Sequence, residues 1–114
     1  MAVTNKRIIS GAQLTTSAAA YYTVPSLTKC IVKRLAFCNT TAGAVAVTVH
    51  LVPSGGSATD ANTVTKTKSV GAYETWVCPE AEGQVIEQLG AIYALAGAGG
   101  SITVIGSGDR KSVV

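Results

Sequence analysis

The sequence predicts an all-β protein, a single-domain antiparallel β-sandwich with a jelly-roll-like arrangement of roughly seven or eight strands. Short apolar or alternating segments recur at intervals of roughly ten residues, as they do in sandwiches and barrels. Turns that contain Gly, Pro or Asn separate these segments. Residues 80–89 are the one helix candidate, and Gly83 interrupts them, so we expect an irregular loop or a single helical turn there.

The segment Cys30–Pro53 is the strongest structural signal in the chain. Apolar side chains alternate with smaller or more polar ones over residues 45–52, which is the period-2 pattern of a half-buried strand. Residues 31–38 are apolar on both faces apart from two adjacent basic residues, which is typical of a more central strand. Residues 39–43 supply a polar turn between the two. The segment therefore predicts a β-hairpin at the core of the fold.

The alternation of a strand predicts which side chains face the core at two pairs of adjacent residues. Lys33 and Arg34 are neighbours in a predicted strand, so we expect at most one of them to lie over the core, with its stem packed and its head at the rim. The same alternation predicts that Tyr21 and Tyr22 face opposite sides. The outward ring is a candidate contact residue, because aromatic side chains are enriched in interfaces.

The other strands follow from the same patterns. We predict them at residues 20–24, 62–70, 73–78, 91–96 and 101–106, with residues 2–9 as a short first strand or an arm. Residues 62–70 carry lysines on one face, as exposed edge strands do, and the last two strands are expected to form a second hairpin. The predicted organisation is an N-terminal arm or short strand (1–19), a β-sandwich domain (20–108) and a polar C-terminal tail (109–114).

The composition favours a protein that hides much of its surface in an assembly. Only 13% of the residues are charged, 47% are apolar and 12 are glycine, which is unusual for a free monomeric protein. Residues 1–59 hold five bases and no acid, whereas residues 60–114 hold six acids and four bases. A basic first half suits an acidic partner surface, but scattered bases do not form the patch that nucleic acid requires. No apolar run is long enough to span a membrane.

Candidate catalytic and metal-binding residues are few. His50 is the one histidine, and its place in a strand predicts a surface or interface residue rather than a catalytic base. The three cysteines cannot all pair with one another, and they are expected to be small buried hydrophobes, although Cys78 could meet either of the other two across strands. No Cys-x₂₋₄-Cys spacing marks a metal site. Residues 106–111 superficially match a phosphate loop but lack its third glycine and a following helix. We therefore predict no catalytic residue, cofactor or metal.

Several segments resemble a known group of proteins. The residues Tyr22-Thr23-Val24-Pro25, then Phe37-Cys38-Asn39 and the run 45–49, resemble small β-sandwich virion proteins of tailed bacteriophages. Residues 92–96 and 101–108 are similar too, so that the resemblance covers roughly residues 20–108. Two turns depart from it. Ser26-Leu27-Thr28 stands where a small residue and a glycine are expected, and Leu89-Gly90-Ala91 stands where Gly-Asp is expected.

The resemblance implies a non-enzymatic virion protein of the capsid decoration type, a cement or staple protein that binds the major capsid protein lattice and stabilises the shell. Its partners would be the major capsid protein and further copies of itself in a symmetric dimer or trimer. Six residues are candidate capsid or subunit contacts: Lys6, Arg7, Tyr21, Val64, Lys66 and Lys68. One alternative is a tail, collar or fibre component of the virion. A second is a carbohydrate-binding module, for which Trp76 or Tyr21 would supply the aromatic platform.

Overall fold

The computed structural model describes the backbone of residues 3–112 and the side chains of residues 7–111. Nine strands lie in this range: β1 (Val3–Gln13), β2 (Ala19–Thr23), β3 (Thr28–Asn39), β4 (Val45–Val52), β5 (Thr63–Val70), β6 (Thr75–Val77), β7 (Val85–Ile86), β8 (Ala91–Ala96) and β9 (Ile102–Ser112). A single 3₁₀ turn, Asp60–Asn62, precedes β5. The predicted helix candidate 80–89 is a turn followed by the two-residue strand β7, in line with the expected irregular loop.

The strands form two antiparallel sheets that face each other. One sheet, here called sheet A, has the order β1-β9-β3-β6, with β7 also paired to β3. The other, sheet B, has the order β2-β8-β4-β5. The first four strands thus pair with the last five in reverse sequence, β1 with β9, β2 with β8, β3 with β6 and β7, and β4 with β5. This nested pairing is that of a jelly roll. The predicted all-β sandwich is confirmed.

Both predicted hairpins are wrong, although their strands exist. β3 lies in sheet A and β4 lies in sheet B, so residues 30–53 cross from one sheet to the other instead of pairing. Residues 91–106 do the same between β8 and β9. Each sheet must bury one apolar face against the other, and consecutive strands meet this need by packing face to face. The hairpin between consecutive strands is β4–β5.

The sandwich extends beyond the predicted boundaries at both ends. β1 pairs with β9 from Val3↔Lys111 to Gln13↔Thr103, so most of residues 1–19, predicted as an arm or a short strand, form an edge strand of sheet A. Residues 109–112, predicted to belong to a polar tail, are the last four residues of β9. They pair with β1 on one side and with β3 on the other. The predicted boundary at residue 108 therefore falls inside a strand.

The hydrophobic core lies between the two sheets. Its largest fully buried side chains include Phe37, Leu14, Leu35, Ile92 and Ile102. Burying an aliphatic or aromatic side chain of this size contributes about 1.5–3 kcal/mol, so this cluster accounts for a large part of the stability of the domain. β3 is the predicted central strand, and it contributes alternate residues from Cys30 to Val32 and again from Leu35 to Asn39 to the core.

The molecule is elongated along its strands, with extents of 46 × 26 × 19 Å. The connections collect at two opposite ends. The end that we call the Leu89 pole comprises residues 24–28, 53–56, 85–90 and 110–112. The other end, which we call the Tyr73 pole, comprises residues 14–18, 40–44, 71–74 and 97–101. These ends and the outer face of sheet A carry the features that bear on function.

Candidate functional site

Two arginines from distant parts of the chain lie in one row on the outer face of sheet A. Arg7 in β1 and Arg34 in β3 are both cross-strand partners of Ser107 in β9, and all three side chains are exposed. Cross-strand partners point to the same face, so the guanidinium groups flank Ser107, with their strands roughly 10 Å apart. Among the side chains of residues 7–111, no acid lies within ion-pair distance of either arginine. This row, Arg7–Ser107–Arg34, is the arginine row.

Bulges in β1 and β3 create the arginine row. The register steps from Arg7↔Ser107 to Ile9↔Gly106 on one side of β9 and from Val32↔Gly108 to Arg34↔Ser107 on the other. Each step inserts an extra residue and bends the strand. The glycines beside Ser107 face the interior: a Cβ at Gly106 would lie 2.9 Å from Leu35 Cδ1, and one at Gly108 would lie 2.6 Å from the carbonyl oxygen of Ile31. The glycines of the superficial phosphate-loop match are therefore required by packing.

The bulge also corrects the expectation for Lys33 and Arg34. Both side chains are exposed, because Lys33 is the extra residue and the alternation is interrupted between Val32 and Arg34. Lys33 Nζ lies 3.5 Å from Asp109 Oδ2 on the outer face. Neither basic side chain covers the core. The consequence is a surface with one paired and one unpaired cation from adjacent positions of β3.

An apolar band lies beside the arginine row. Ile105 in β9, Ala36 in β3 and Val77 in β6 are cross-strand partners on the outer face, and Ile105 is 44% exposed. Cys38 follows Ala36 on the same face and is a free, half-buried thiol. A surface that combines an exposed isoleucine with unpaired arginines has the composition of a protein interface, in which arginine is enriched and lysine depleted.

The predicted contact residues do not form one site. Arg7 is exposed in the arginine row, whereas the side chain of Lys6 lies outside the described residues. Tyr21 is half-buried against the core, and its hydroxyl is 3.4 Å from the carbonyl oxygen of Gln13. The register shift between Ala20 and Tyr22 makes Tyr21 an extra residue, so both tyrosines pack against the core and the predicted outward ring is wrong.

The three predicted contacts in β5 lie at the edge of sheet B, as expected of an edge strand. Val64 is half-buried against the core, and Lys66 Nζ lies 3.2 Å from Asp60 Oδ1. Lys68 Nζ lies 5.9 Å from the centroid of the Trp76 ring, across the open side of the sandwich. The ring of Trp76 stacks on Phe37 with centroids 5.6 Å apart. Neither Trp76 nor Tyr21 is the exposed platform that the carbohydrate-binding alternative needs.

His50 is buried within the chain, whereas the sequence predicted a surface or interface residue. Its side chain is 5% exposed and lies beneath the loop before β5. His50 Nδ1 lies 3.0 Å from the carbonyl oxygen of Thr59, 3.1 Å from Asn62 Oδ1 and 3.1 Å from Thr63 Oγ1. These contacts fasten the loop to β4 and give the imidazole a structural role. The sequence pattern places His50 on the less apolar face of β4 but carries no sign that a loop covers that face.

The buried thiols have the character of core residues. Burial is the main cause that raises the pKa of the Cys78 thiol to about 11, and burial likewise raises the pKa of Cys30. A raised pKa makes a thiol a poor nucleophile and metal ligand at neutral pH. All three cysteines are free, and the described residues contain no group of three or more His, Cys, Asp or Glu side chains that could hold a metal ion.

Three exposed apolar residues at the poles were not predicted from the sequence to be candidate contact residues. Leu27 and Leu89 lie at the Leu89 pole and Tyr73 lies at the other, and all three have φ near +60°. The signal for two of them was present, because the turns at Leu27 and Leu89 are those in which glycine was expected. A glycine takes a positive φ without strain, whereas leucine and tyrosine do not.

Comparison with known proteins concerns the fold. No protein-family model and no curated protein matches this sequence. The structure is similar to a protein of Bacillus endospore appendages, which form a family of disulfide-linked pili, with a TM-score of 0.53 and 12% identity over 98% of this chain and 89% of that chain. A chain of infectious bursal disease virus, Gx strain, has a TM-score of 0.47 and 13% identity, and the match covers 96% of this chain but 30% of the viral one. At these identities the first likeness is one of fold alone. No helix in the described part of the chain has the length and apolar character that a membrane span requires.

Proposed function

We propose that this protein is a non-enzymatic structural subunit that decorates and stabilises the capsid of a tailed bacteriophage by binding the major capsid protein lattice. It would reside on the capsid surface of the virion. The observation that carries the proposal is the arginine row beside the apolar band on the outer face of sheet A. Support also comes from the resemblance of residues 20–108 to small virion proteins.

The arginine row favours an acidic partner surface. Two like charges on one face repel each other, and no acid of residues 7–111 offsets Arg7 or Arg34. A partner carboxylate can accept a bidentate pair of hydrogen bonds from a guanidinium group, which is stronger than a hydrogen bond between neutral groups. The three lysines that do have acidic partners, Lys29, Lys33 and Lys66, lie outside the row. The two arginines of the row are thus unpaired where an apolar band lies beside them.

Decoration stabilises a shell by mass action. A protein that binds the assembled lattice and not the separate subunits favours the assembled state. Many copies on one shell make weak contacts effective together. The symmetric homo-oligomer, with β5 as the strand that pairs across a two-fold axis, stays a prediction. It would not occupy the arginine row, because β5 is an edge of sheet B.

The test is co-sedimentation of the purified protein with phage heads that lack it. The double substitution Arg7→Glu, Arg34→Glu should reduce occupancy at least tenfold, and wild-type binding should weaken as salt is added. The matched control is Lys66→Glu, Lys68→Glu, which makes the same change of net charge on β5. Binding that survives the arginine substitutions and is lost in the control would assign the contact to β5. Failure of the wild type to bind heads at any salt concentration would overturn the proposal, and recovery of the protein from detached tails would favour the tail component instead.

A further inference from the structure

The Leu89 pole presents apolar side chains on strained backbone. Leu27 and Leu89 have φ values of 58° and 62°, and about half of each side chain is exposed to solvent. Val85 in β7, 51% exposed, and Ile31 in β3, 38% exposed, are cross-strand partners of each other in the same part of sheet A. A leucine at positive φ strains the local backbone, and an exposed leucine does not contribute to the core. Strain of this kind is concentrated at binding sites, where the surrounding structure enforces it.

The loops at this pole are held in place by long-range hydrogen bonds. Leu89 N donates to the carbonyl oxygen of Val24 at 2.9 Å, and Leu27 N donates to Gln88 Oε1 at 2.8 Å. Val24 N in turn donates to the carbonyl oxygen of Gly90 at 2.8 Å. The two leucines are therefore fixed relative to each other before any partner arrives. A preorganised surface binds with a smaller loss of conformational entropy.

A groove opens between the two sheets at the same pole. It has a volume of about 400 Å³ and lies between residues 51–54, at the end of sheet B, and residues 85–88, beside sheet A. Its walls are mostly aliphatic, from Leu51, Val52 and Ile86, while Glu87 and Gln88 supply polar atoms. Apolar walls with a few polar groups suit a phenol ring, whose hydroxyl seeks a hydrogen-bond partner when it is buried.

The opposite pole carries a protruding tyrosine. Tyr73 is 71% exposed with a φ of 57°, the same left-handed conformation as the two leucines. Its loop is also fixed, because Tyr73 N donates to the carbonyl oxygen of Thr41 at 3.1 Å and Gly71 N donates to Glu74 Oε1 at 2.9 Å. The neighbouring loops of this pole are made of small, uncharged residues over 40–44 and 97–101. Tyr73 is thus an isolated, protruding aromatic side chain, which we call the knob.

The charges left unpaired at the two poles are opposite in sign. At the Leu89 pole Glu87 lies 3.6 Å from Lys29, whereas Arg110 and Lys111 have no acidic partner among the side chains of residues 7–111. At the Tyr73 pole the one charged side chain is the exposed carboxylate of Glu74. When the Tyr73 pole of one copy stacks on the Leu89 pole of another, the carboxylate of Glu74 approaches the ammonium group of Lys111.

We propose that this chain binds a second copy of itself head to tail, with Tyr73 of one copy in the groove of the next. Such a contact is heterologous, so each copy keeps one free knob and one free groove, and repetition builds a string along the 46 Å axis. The cross-section of 26 × 19 Å limits the buried area to roughly 500 Å² on each copy. That is the size of a weak interface, so we expect association at high concentration. The contact uses neither the arginine row nor β5, and it stands whether or not the protein binds capsids.

The experiment measures the mean mass of the purified protein against concentration by sedimentation velocity. Wild-type protein should show a mass that rises continuously, without a plateau at the dimer. Tyr73→Gly should stay monomeric, and so should the double variant Val85→Ser, Leu89→Gly. Glycine at Tyr73 and Leu89 relieves the positive φ, so these variants should remain folded. The matched control is Thr67→Gly, which makes the same backbone change at φ 50° in β5, away from both poles, and should associate like the wild type.

A mixture of the two variants that should not self-associate tests whether the contact is head to tail. Tyr73→Gly keeps its groove and Val85→Ser, Leu89→Gly keeps its knob, so an equimolar mixture should form dimers and nothing longer. Persistent association of Tyr73→Gly alone, whether through two Leu89 poles or through a pair of β5 edges, would show that association does not need the tyrosine, and would overturn the proposal. A wild-type mass that stays monomeric up to about 1 mM, where even an interaction of about 4 kcal/mol is half saturated, would overturn it as well.

Discussion

The side-chain nitrogen Nδ2 of Asn39 donates a hydrogen bond to the main-chain carbonyl oxygen of Val70 at 3.1 Å, and so joins the end of β3 in sheet A to the end of β5 in sheet B. The same nitrogen donates to the carbonyl oxygen of Gly43 at 2.8 Å, and Asn39 Oδ1 accepts from Thr41 N at 2.9 Å. Asn39 is fully buried. One amide thus satisfies the backbone groups of the arch that carries the chain between the sheets.

Replacing Asn39 should destabilise the whole domain. Asn39→Ala leaves the buried carbonyl oxygen of Val70 without this donor and removes the support of the arch, and each unsatisfied buried group costs about 1–3 kcal/mol. We expect the free energy of unfolding in urea to fall by about 2–4 kcal/mol. Thr41→Ala is the comparison, because it removes one hydroxyl at the exposed side of the same arch. Equal losses in the two variants would contradict the bridging role of Asn39.

The strands could be predicted from the sequence because their signal is local. Residues 45–52 alternate with period 2, and they form β4 with those bounds. The pairing partners could not be predicted in the same way. The turn 39–43 looks like that of a hairpin, whereas in the structure it is an arch between the two sheets, supported by the hydrogen bond from Asn39 to Val70. A hydrogen bond between residues 31 positions apart leaves no local pattern.

The candidate site was less predictable than the fold, because it depends on strand order. Arg7 and Arg34 meet in one row only when β9 lies between β1 and β3 and brings Ser107 to both. The faces on which adjacent strand residues lie were predicted wrongly for a related reason. A bulge adds one residue to a strand, so alternation fails locally, as it does at Lys33 and at Tyr21.

Lys68 should stabilise the open side of the sandwich through Trp76. The ammonium group lies over the ring at 5.9 Å, and cation–π contacts contribute about 0.5–1 kcal/mol at exposed sites. We expect Lys68→Met to lower the free energy of unfolding by up to about 1 kcal/mol and to change the emission of Trp76, the one tryptophan. Lys66→Met is the matched control, because Lys66 pairs with the highly exposed Asp60 and should contribute little. A tryptophan spectrum that changes equally in both variants would count against the contact.

Stability should decrease in alkaline solution because of the buried thiols. The pKa of Cys78 is raised to about 11 in the folded chain, above its ordinary value of 9.0, mainly because the thiol is buried. The unfolded chain therefore loses this proton first as the pH rises, and the stability that is present below about pH 9 falls progressively up to about pH 11, by at most about 2–3 kcal/mol. Urea unfolding at a series of pH values measures the slope. Cys78→Ala should flatten it, and a slope that Cys78→Ala does not alter would contradict this origin.

Gly108, which lies in β9 opposite the bulge of β3, should not accommodate a side chain without loss of stability. A Cβ at Gly108 would lie 2.6 Å from the carbonyl oxygen of Ile31 and 3.2 Å from Cys30 Sγ, so Gly108→Ala must displace backbone of β3. Overpacking of this kind costs about 1–3 kcal/mol, and we expect a corresponding drop in the thermal midpoint. Gly99→Ala is the matched control, because no atom lies within 4 Å of its added Cβ, and it should be neutral or slightly stabilising. Since β3 also carries Arg34, Gly108→Ala should disturb the arginine row as well. Circular dichroism melts of the two variants measure the loss of stability, and head binding measures the effect on the contact surface. Weaker head binding by folded Gly108→Ala, with Gly99→Ala unchanged, would show that Gly108 also helps to position that surface.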